Sequence, residues 1–240
     1  MELNPTCDIL IPTYNRKKFE KLISNNIRQQ IYPNIREVIV LDDGCESQRL
    51  ELDVPYTVRY LRCDRCTIAE KRNKLIELSK ATYCAFFDTD DWYHPERILI
   101  QIYMLMQNPH YVVCGSSDMI MTYLADEKDD FPLYMHSCIW NSYMNEATLT
   151  FHRKTMSRFK FKATITPEGA HIGEGVSFLK PVNGRLLQIP IDDIMICLCH
   201  GENTIPKNNR DSPYENDVTH PMMVEDVRAY LQFDEEGKVV

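Results

Sequence analysis

The sequence predicts an α/β fold with a mostly parallel central sheet flanked by helices and a small antiparallel part in its C-terminal half. Three observations predict it. Short apolar runs alternate with helical stripes through the first half of the chain, as in sheets built from crossover connections. Three of those runs end in polar or acidic residues: Thr13-Tyr14-Asn15, Asp42-Asp43 and Asp88 to Asp91. The balance of 44% hydrophobic and 26% charged residues over 240 positions is that of an ordinary globular chain, with room for one large domain or two small ones.

The elements follow in order. Cys7 to Pro12 is a short buried strand, and Phe19, Leu22, Ile23 and Ile27 then recur at helical spacing. Arg36 to Leu41 is a β-branched run that stops at the turn Asp42-Asp43-Gly44. Tyr56 to Leu61 is a third strand, and Ile68, Leu75, Ile76 and Ser79 mark a second helix. Tyr83 to Phe87 is the fourth strand and ends in the carboxylate tetrad. Pro95 suits the first turn of the next helix. Ile98, Ile102, Leu105 and Met106 give that helix its buried face, and Asn108-Pro109 stops it before a strand from Tyr111 to Gly115.

The second half is less regular. Asp126 to Asp130 is a charged loop, Ala147 to His152 a strand, and Arg153 to Lys162 a short basic stretch, whose run Arg153 to Lys160 is better read as a solvated face than as a phosphate site. Gly173 to Leu179 begins with an acid and continues apolar, and Gly184 to Pro190 and Asp193 to Cys199 are further strands. We expect one domain over residues 1–205, made of a first half to about residue 110 and a second half over 111–205. Residues 206–240 are expected to form an acidic, partly irregular extension over the surface.

Charge and composition exclude several classes. A net charge of −8 and a pI near 5.4 argue against a large nucleic-acid footprint. No segment approaches the roughly 20 apolar residues of a membrane span, and Met1-Glu2-Leu3-Asn4-Pro5 lacks the features of a signal peptide. The expected location is the cytoplasm, free or held at a membrane through a partner. Nine cysteines, several inside apolar runs, read as buried thiols in a reducing compartment. Cys63 and Cys66, with Cys197, Cys199 and His200, could supply a zinc site. Core packing explains Cys197 and Cys199 better, because they share one strand face.

The tetrad Asp88-Thr89-Asp90-Asp91 carries the most chemistry. Three carboxylates in four residues repel one another unless a cation sits between them, and hard oxygen ligands suit Mg²⁺ or Mn²⁺. If the strands are parallel, the three polar ends converge on one rim, where sheets of this type bind ligands.

These segments, in this order, resemble a family 2 glycosyltransferase of the GT-A fold. Ile9-Leu10-Ile11-Pro12-Thr13-Tyr14-Asn15-Arg16 resembles the family's opening strand and nucleotide loop, and Val38 to Gly44 its second strand and acidic turn. Ala69-Glu70-Lys71-Arg72-Asn73 is similar to its Ala-Arg-Asn helix, and Phe86 to Trp92 to its metal-binding strand end. His200-Gly201-Glu202-Asn203-Thr204 matches its closing motif. The resemblance is dense over residues 6–108, thinner over 145–205 and absent after about 206.

The resemblance implies a metal-dependent, inverting transfer of a sugar from a nucleotide-sugar, with UDP favoured, to a hydroxyl on a glycan, lipid-linked or protein acceptor. Thr13 and Tyr14 would line the base pocket, flanked by Pro12 and Arg16, and Asp43 would meet the base imide. Arg72 would lie near the diphosphate. Asp88 and Thr89 would face the ribose or sugar, and Asp90 would take part in both donor and metal binding. Asp91 and His200 would complete the ligands of Mn²⁺ or Mg²⁺. The family's acidic pair falls at Gly173-Glu174-Gly175, where glycine replaces the second acid. Glu174 is therefore the candidate base, with Glu168, His171, Asp192 and Asp193 nearby in sequence.

Trp92 and Tyr93 could stack on a sugar or pack inside, Trp140 and Tyr143 could touch the acceptor, and His94 is better read as a helix cap. Two other readings stay open. A nucleotidyltransferase on a similar sheet would carry a glycine-rich loop where this chain has Pro12-Thr13-Tyr14-Asn15. A binding module without transfer would keep the nucleotide pocket and lack the base.

Overall fold

The structure, a computed structural model, describes residues 4–125, 131–137, 144–163, 174–201, 203, 213–214, 219–234 and 238–240. The expected loop at 126–130 and Trp140, Tyr143, Glu168 and His171 lie outside the described residues.

The strands are β1 (Cys7–Thr13), β2 (Ile35–Asp42), β3 (Thr57–Arg62), β4 (Tyr83–Phe86), β5 (Trp92–Tyr93), β6 (Val113–Gly115), β7 (Met119–Tyr123), β8 (Leu133–His136), β9 (Thr150–His152), β10 (Leu186–Gln188), β11 (Met195–Cys199) and β12 (Pro213–Tyr214). The helices are α1 (Glu20–Arg28), α2 (Ile68–Leu78), α3 (Arg97–Gln107), α4 (Arg153–Met156), α5 (Val176–Leu179) and α6 (Thr219–Tyr230).

Seven strands form the main sheet in the order β10-β6-β9-β4-β1-β2-β3. β1 runs parallel to β2 and β4, and β2 parallel to β3. β9 is reversed against both its neighbours. A second sheet, β12-β8-β7-β11-β5, is largely antiparallel. This is the expected arrangement of a mostly parallel sheet flanked by helices.

Burial explains the sequence pattern. Every residue of β1 is buried, as a central parallel strand covered on both faces must be. Alternation divides it: Ile9 and Ile11 join the core beneath α1, and Leu10 joins the core with Leu75 and Ile76 of α2. α1 contributes Leu22, Ile23 and Ile27, all buried, as its spacing predicts. α3 does the same with Ile98, Ile102 and Leu105. α2 begins at a capping box, in which Thr67 accepts the Glu70 amide and Glu70 returns a carboxylate to the Thr67 amide.

Several elements were not anticipated. Trp92 and Tyr93 form β5 and are fully buried, pairing with Met195 and Ile196 of β11. They are packing residues, and Trp92 Nε1 donates to Asp226 Oδ2 on α6 at 2.8 Å. His94 Nδ1 accepts the Glu96 amide at 3.2 Å, which fits the capping role read for it. α6 docks beside α1, with Met223 and Val227 fully buried. Among the described residues the cysteines are free thiols, and no helix is long and apolar enough to cross a membrane.

Register sets the rim. Thr13 lies opposite Asp42 in the β1–β2 ladder, and Leu10 opposite Phe86 in the β1–β4 ladder. The three polar strand ends therefore open at one carboxyl edge.

Candidate active site

At the first corner of the rim, the chain leaves β1 through Thr13 and the half-exposed Tyr14, then turns at Asn15, whose φ of 52° is left-handed. Asparagine tolerates that conformation better than other non-glycine residues. Asn15 Oδ1 accepts the Cys45 amide at 2.7 Å, tying the β1 loop to the β2 loop. A Cβ on Gly44 would stand 2.5 Å from that same Oδ1, so glycine there is a matter of space.

Asp43 is sealed inside this corner. Lys71 Nζ donates to its Oδ1 at 2.6 Å, and Arg65 and the Cys66 amide donate to Oδ2 at 2.7 and 3.0 Å. Burial pushes the carboxyl's pKa up, but these hydrogen bonds and the Lys71 charge outweigh it and hold it below the usual carboxylate range. Lys71 also donates to the carbonyl of Thr13, joining β1, β2 and α2. Arg65 lies over the Tyr14 ring with its Cζ 3.7 Å from the centroid. Neither Lys71 nor Arg65 was among the expected site residues.

The second corner holds the tetrad. Asp88, whose side chain is 27% exposed, receives both its hydrogen bonds from Arg72 at 3.1 Å. Its amide donates to the buried hydroxyl of Tyr93. Thr89 is buried. Asp90 Oδ2 meets His200 Nε2 at 3.0 Å and Arg16 Nε at 3.3 Å. Burial disfavours the Asp90 anion, yet the His200 hydrogen bond and the Arg16 charge keep its pKa low. Asp91 turns the other way: it is buried, and its Oδ1 accepts the Leu198 amide of β11, two residues before His200. Pro12 lies within β1 behind this corner.

Among the described residues no group of three or more His, Cys, Asp or Glu side chains is set to hold a metal ion by itself. The donor set at Asp90 and His200 still fits one kind of cation. Mg²⁺ is usually held by one or two carboxylates, with substrate phosphates and water completing the shell, and neutral imidazole is a common metal ligand. Cys63 and Cys66 stand 3.9 Å apart between their sulfurs, on the loop that carries Arg65.

The third corner is reached through Arg72. This buried guanidinium donates from Nε to Glu174 Oε1 at 2.9 Å, so one side chain joins the tetrad to the start of α5. Burial opposes its charge, and Asp88, Glu174 and Glu146 more than compensate, raising its pKa. Asp192 and Asp193 fall in a short 3-10 turn before β11. Two polar atoms at the rim lack partners among the described residues: the buried Thr13 hydroxyl and Arg72 Nη1.

This fold is shared with solved glycosyltransferases. TarS of S. aureus, residues 1–349 in complex with UDP, superposes with a TM-score of 0.58 at 15% identity, covering 81% of this chain and 61% of that one. The mannosyltransferase PcManGT of Pyrobaculum calidifontis, in complex with GDP-Man and Mn²⁺, gives 0.59 at 15% identity, covering 87% and 59%. The class is therefore GT-A. Residues 8–163 match the model of glycosyl transferase family 2, and the chain belongs to that family. An uncharacterised glycosyltransferase of Haemophilus influenzae is 32% identical over 105 residues, which is 42% of this chain and 35% of that protein. The chain thus spans about a third of that relative's length.

Proposed function

We propose that this chain transfers a sugar from a nucleotide diphosphate sugar, a UDP-sugar before others, to a hydroxyl acceptor with inversion at the anomeric carbon. The observation that carries the reading is the single carboxyl edge that gathers Thr13, the Asp43–Lys71 pair, the Asp88–Arg72 pair and the Asp90–His200 pair. TarS is solved with UDP and with UDP-GlcNAc, and PcManGT with GDP-Man and Mn²⁺, which supports the donor class.

The base would lie against Tyr14 and reach Asp43. Both oxygens of Asp43 are engaged, so the base takes the place of Arg65, whose long side chain is 62% exposed. Arg72 would lie near the diphosphate, and Asp88 and Thr89 would face the ribose or sugar. Asp90 and His200 would hold Mn²⁺ or Mg²⁺, with Arg16 beside them. When bound, the cation supplies charge stabilisation for the departing diphosphate. Asp91 would keep β11, and hence His200, in place.

Glu174 would accept the proton of the acceptor hydroxyl as its oxygen attacks the anomeric carbon. Single displacement needs this base and no protein nucleophile. Gly175 favours a second reading, a binding module without transfer. One experiment separates the two: UDP release from UDP-sugars in the presence of Mn²⁺. A rate that falls about 100-fold or more in Glu174→Gln supports the transferase. No release by the wild type, with donor binding intact, supports the module.

A further inference from the structure

Gly175 has a backbone that any residue adopts, with φ −75° and ψ −25°. Glycine is needed there for another reason. A Cβ at 175 would lie 2.4 Å from Glu146 Oε1 and within 2.9 Å of Glu146 Cγ and Cδ. The carboxylate of Glu146 fills the space in which a side chain at 175 would begin. Its Oε1 also accepts the Gly175 amide at 2.7 Å.

Glu146 is held firmly. It opens a 3-10 turn, Glu146–Thr148, capped by Asn145 Oδ1 on the Ala147 amide. Thr148 Oγ1 bonds back to the Asn145 carbonyl at 2.7 Å, and this whole stretch is buried before it enters β9. Glu146 itself is only 8% exposed. A buried carboxylate is costly unless charge and hydrogen bonds answer it. Here one nearby countercharge is Arg72, whose pKa the Glu146 charge helps to raise. Arg72 is thus answered by Asp88 and Glu174 through hydrogen bonds and by Glu146 through its field.

We propose that Glu146 is the second acid of the acceptor corner, a positioning residue that acts through Glu174 and Arg72. It fixes the amide that follows Glu174, and so the backbone that aims the Glu174 carboxylate. Its charge also bears on the Arg72 guanidinium that holds Glu174. The side chain that position 175 lacks is replaced from another segment of the chain. This inference rests on the transferase reading.

The test uses the full chain, UDP-glucose, UDP-galactose and UDP-N-acetylglucosamine with Mn²⁺, and UDP release as readout. Glu146→Gln keeps an oxygen for the Gly175 amide and removes the charge. It should lower kcat on the order of 10-fold or more, the scale of a misplaced catalytic group. The KM for donor and the melting temperature should stay near wild type. Glu146→Ala should be slower still, and adding Gly175→Asp to it should recover a large part of the rate by returning a carboxylate to the vacated space. Wild-type kcat in Glu146→Gln would overturn the inference while leaving the transferase reading intact. So would a loss confined to donor KM, a large fall in melting temperature, or no recovery in the folded double variant. A wild type that releases no UDP from any of the three donors overturns the transferase reading and this inference with it.

Discussion

Asp43 couples the stability of its corner to the recognition proposed for it. It is fully buried, with Lys71 at 2.6 Å, also almost fully buried, and Arg65 at 2.7 Å. Breaking a buried pair by removing one partner leaves an uncompensated charge and costs about 3–5 kcal/mol. Lys71→Met should therefore lower the chemical-denaturation midpoint strongly, and equilibrium urea unfolding measures it. The sign of the pH effect follows from the lowered pKa of Asp43. Its stabilising contribution is complete above its unfolded value of about 3.9 and is lost as pH falls through the lower folded value. Below about pH 4 the wild type should lose stability more steeply than Asp43→Asn, and urea titrations from pH 5 to pH 2.5 test this. The acids of this site were legible because they sit at strand ends in the sequence itself. Lys71, Arg65 and Glu146 were not, since a lysine in a helix and an arginine in a polar loop look like solvated charges until tertiary contacts are known. Asp91 was expected beside the cation, and one of its carboxylate oxygens receives the amide of Leu198.

Elements explain why the site residues stay where they are. α2 carries Lys71 and Arg72 on its first turns, and its start is fixed by the Thr67–Glu70 capping box. Thr67→Ala should cost about 1 kcal/mol, read as a lower melting temperature. Gly175→Ala should also destabilise, by about 1–3 kcal/mol, because its Cβ meets Glu146 in a packed interior. The strands of the first half were readable from apolar runs that end in turns, and β1, β2, β3 and β4 lie within a residue or two of their expected spans. β5, β7, β8 and β12 were missed. β5 and β12 are two residues long, and their strand character depends on pairing with distant partners. α6 was hidden by an acidic stretch of weak apolar periodicity, and its burial against α1 is a tertiary matter.

At the scale of the whole molecule, the two sheets and α6 enclose a continuous core that runs beneath the rim. Met223, Val227, Leu231 and Val239 join the cluster that holds Ile9, Ile11 and Trp92. Each such side chain contributes about 1.5–3 kcal/mol when buried. Truncation at residue 205 should thus unfold the chain or lower its melting temperature sharply, and differential scanning calorimetry would show it. The parallel register of β4, β1 and β2 brings the tetrad, Thr13 and Asp43 to one edge, and the proposed function depends on that edge binding a nucleotide diphosphate with a cation. The most direct measurement is calorimetric binding of UDP with and without Mn²⁺, on the wild type and on Asp90→Ala and His200→Ala. Mn²⁺ should tighten UDP binding to the wild type on the order of 10-fold or more, about 1.4 kcal/mol, and should have little effect on either variant. Binding of UDP to the wild type that is indifferent to Mn²⁺, or a Mn²⁺ effect undiminished in both variants, would contradict the assignment of this rim.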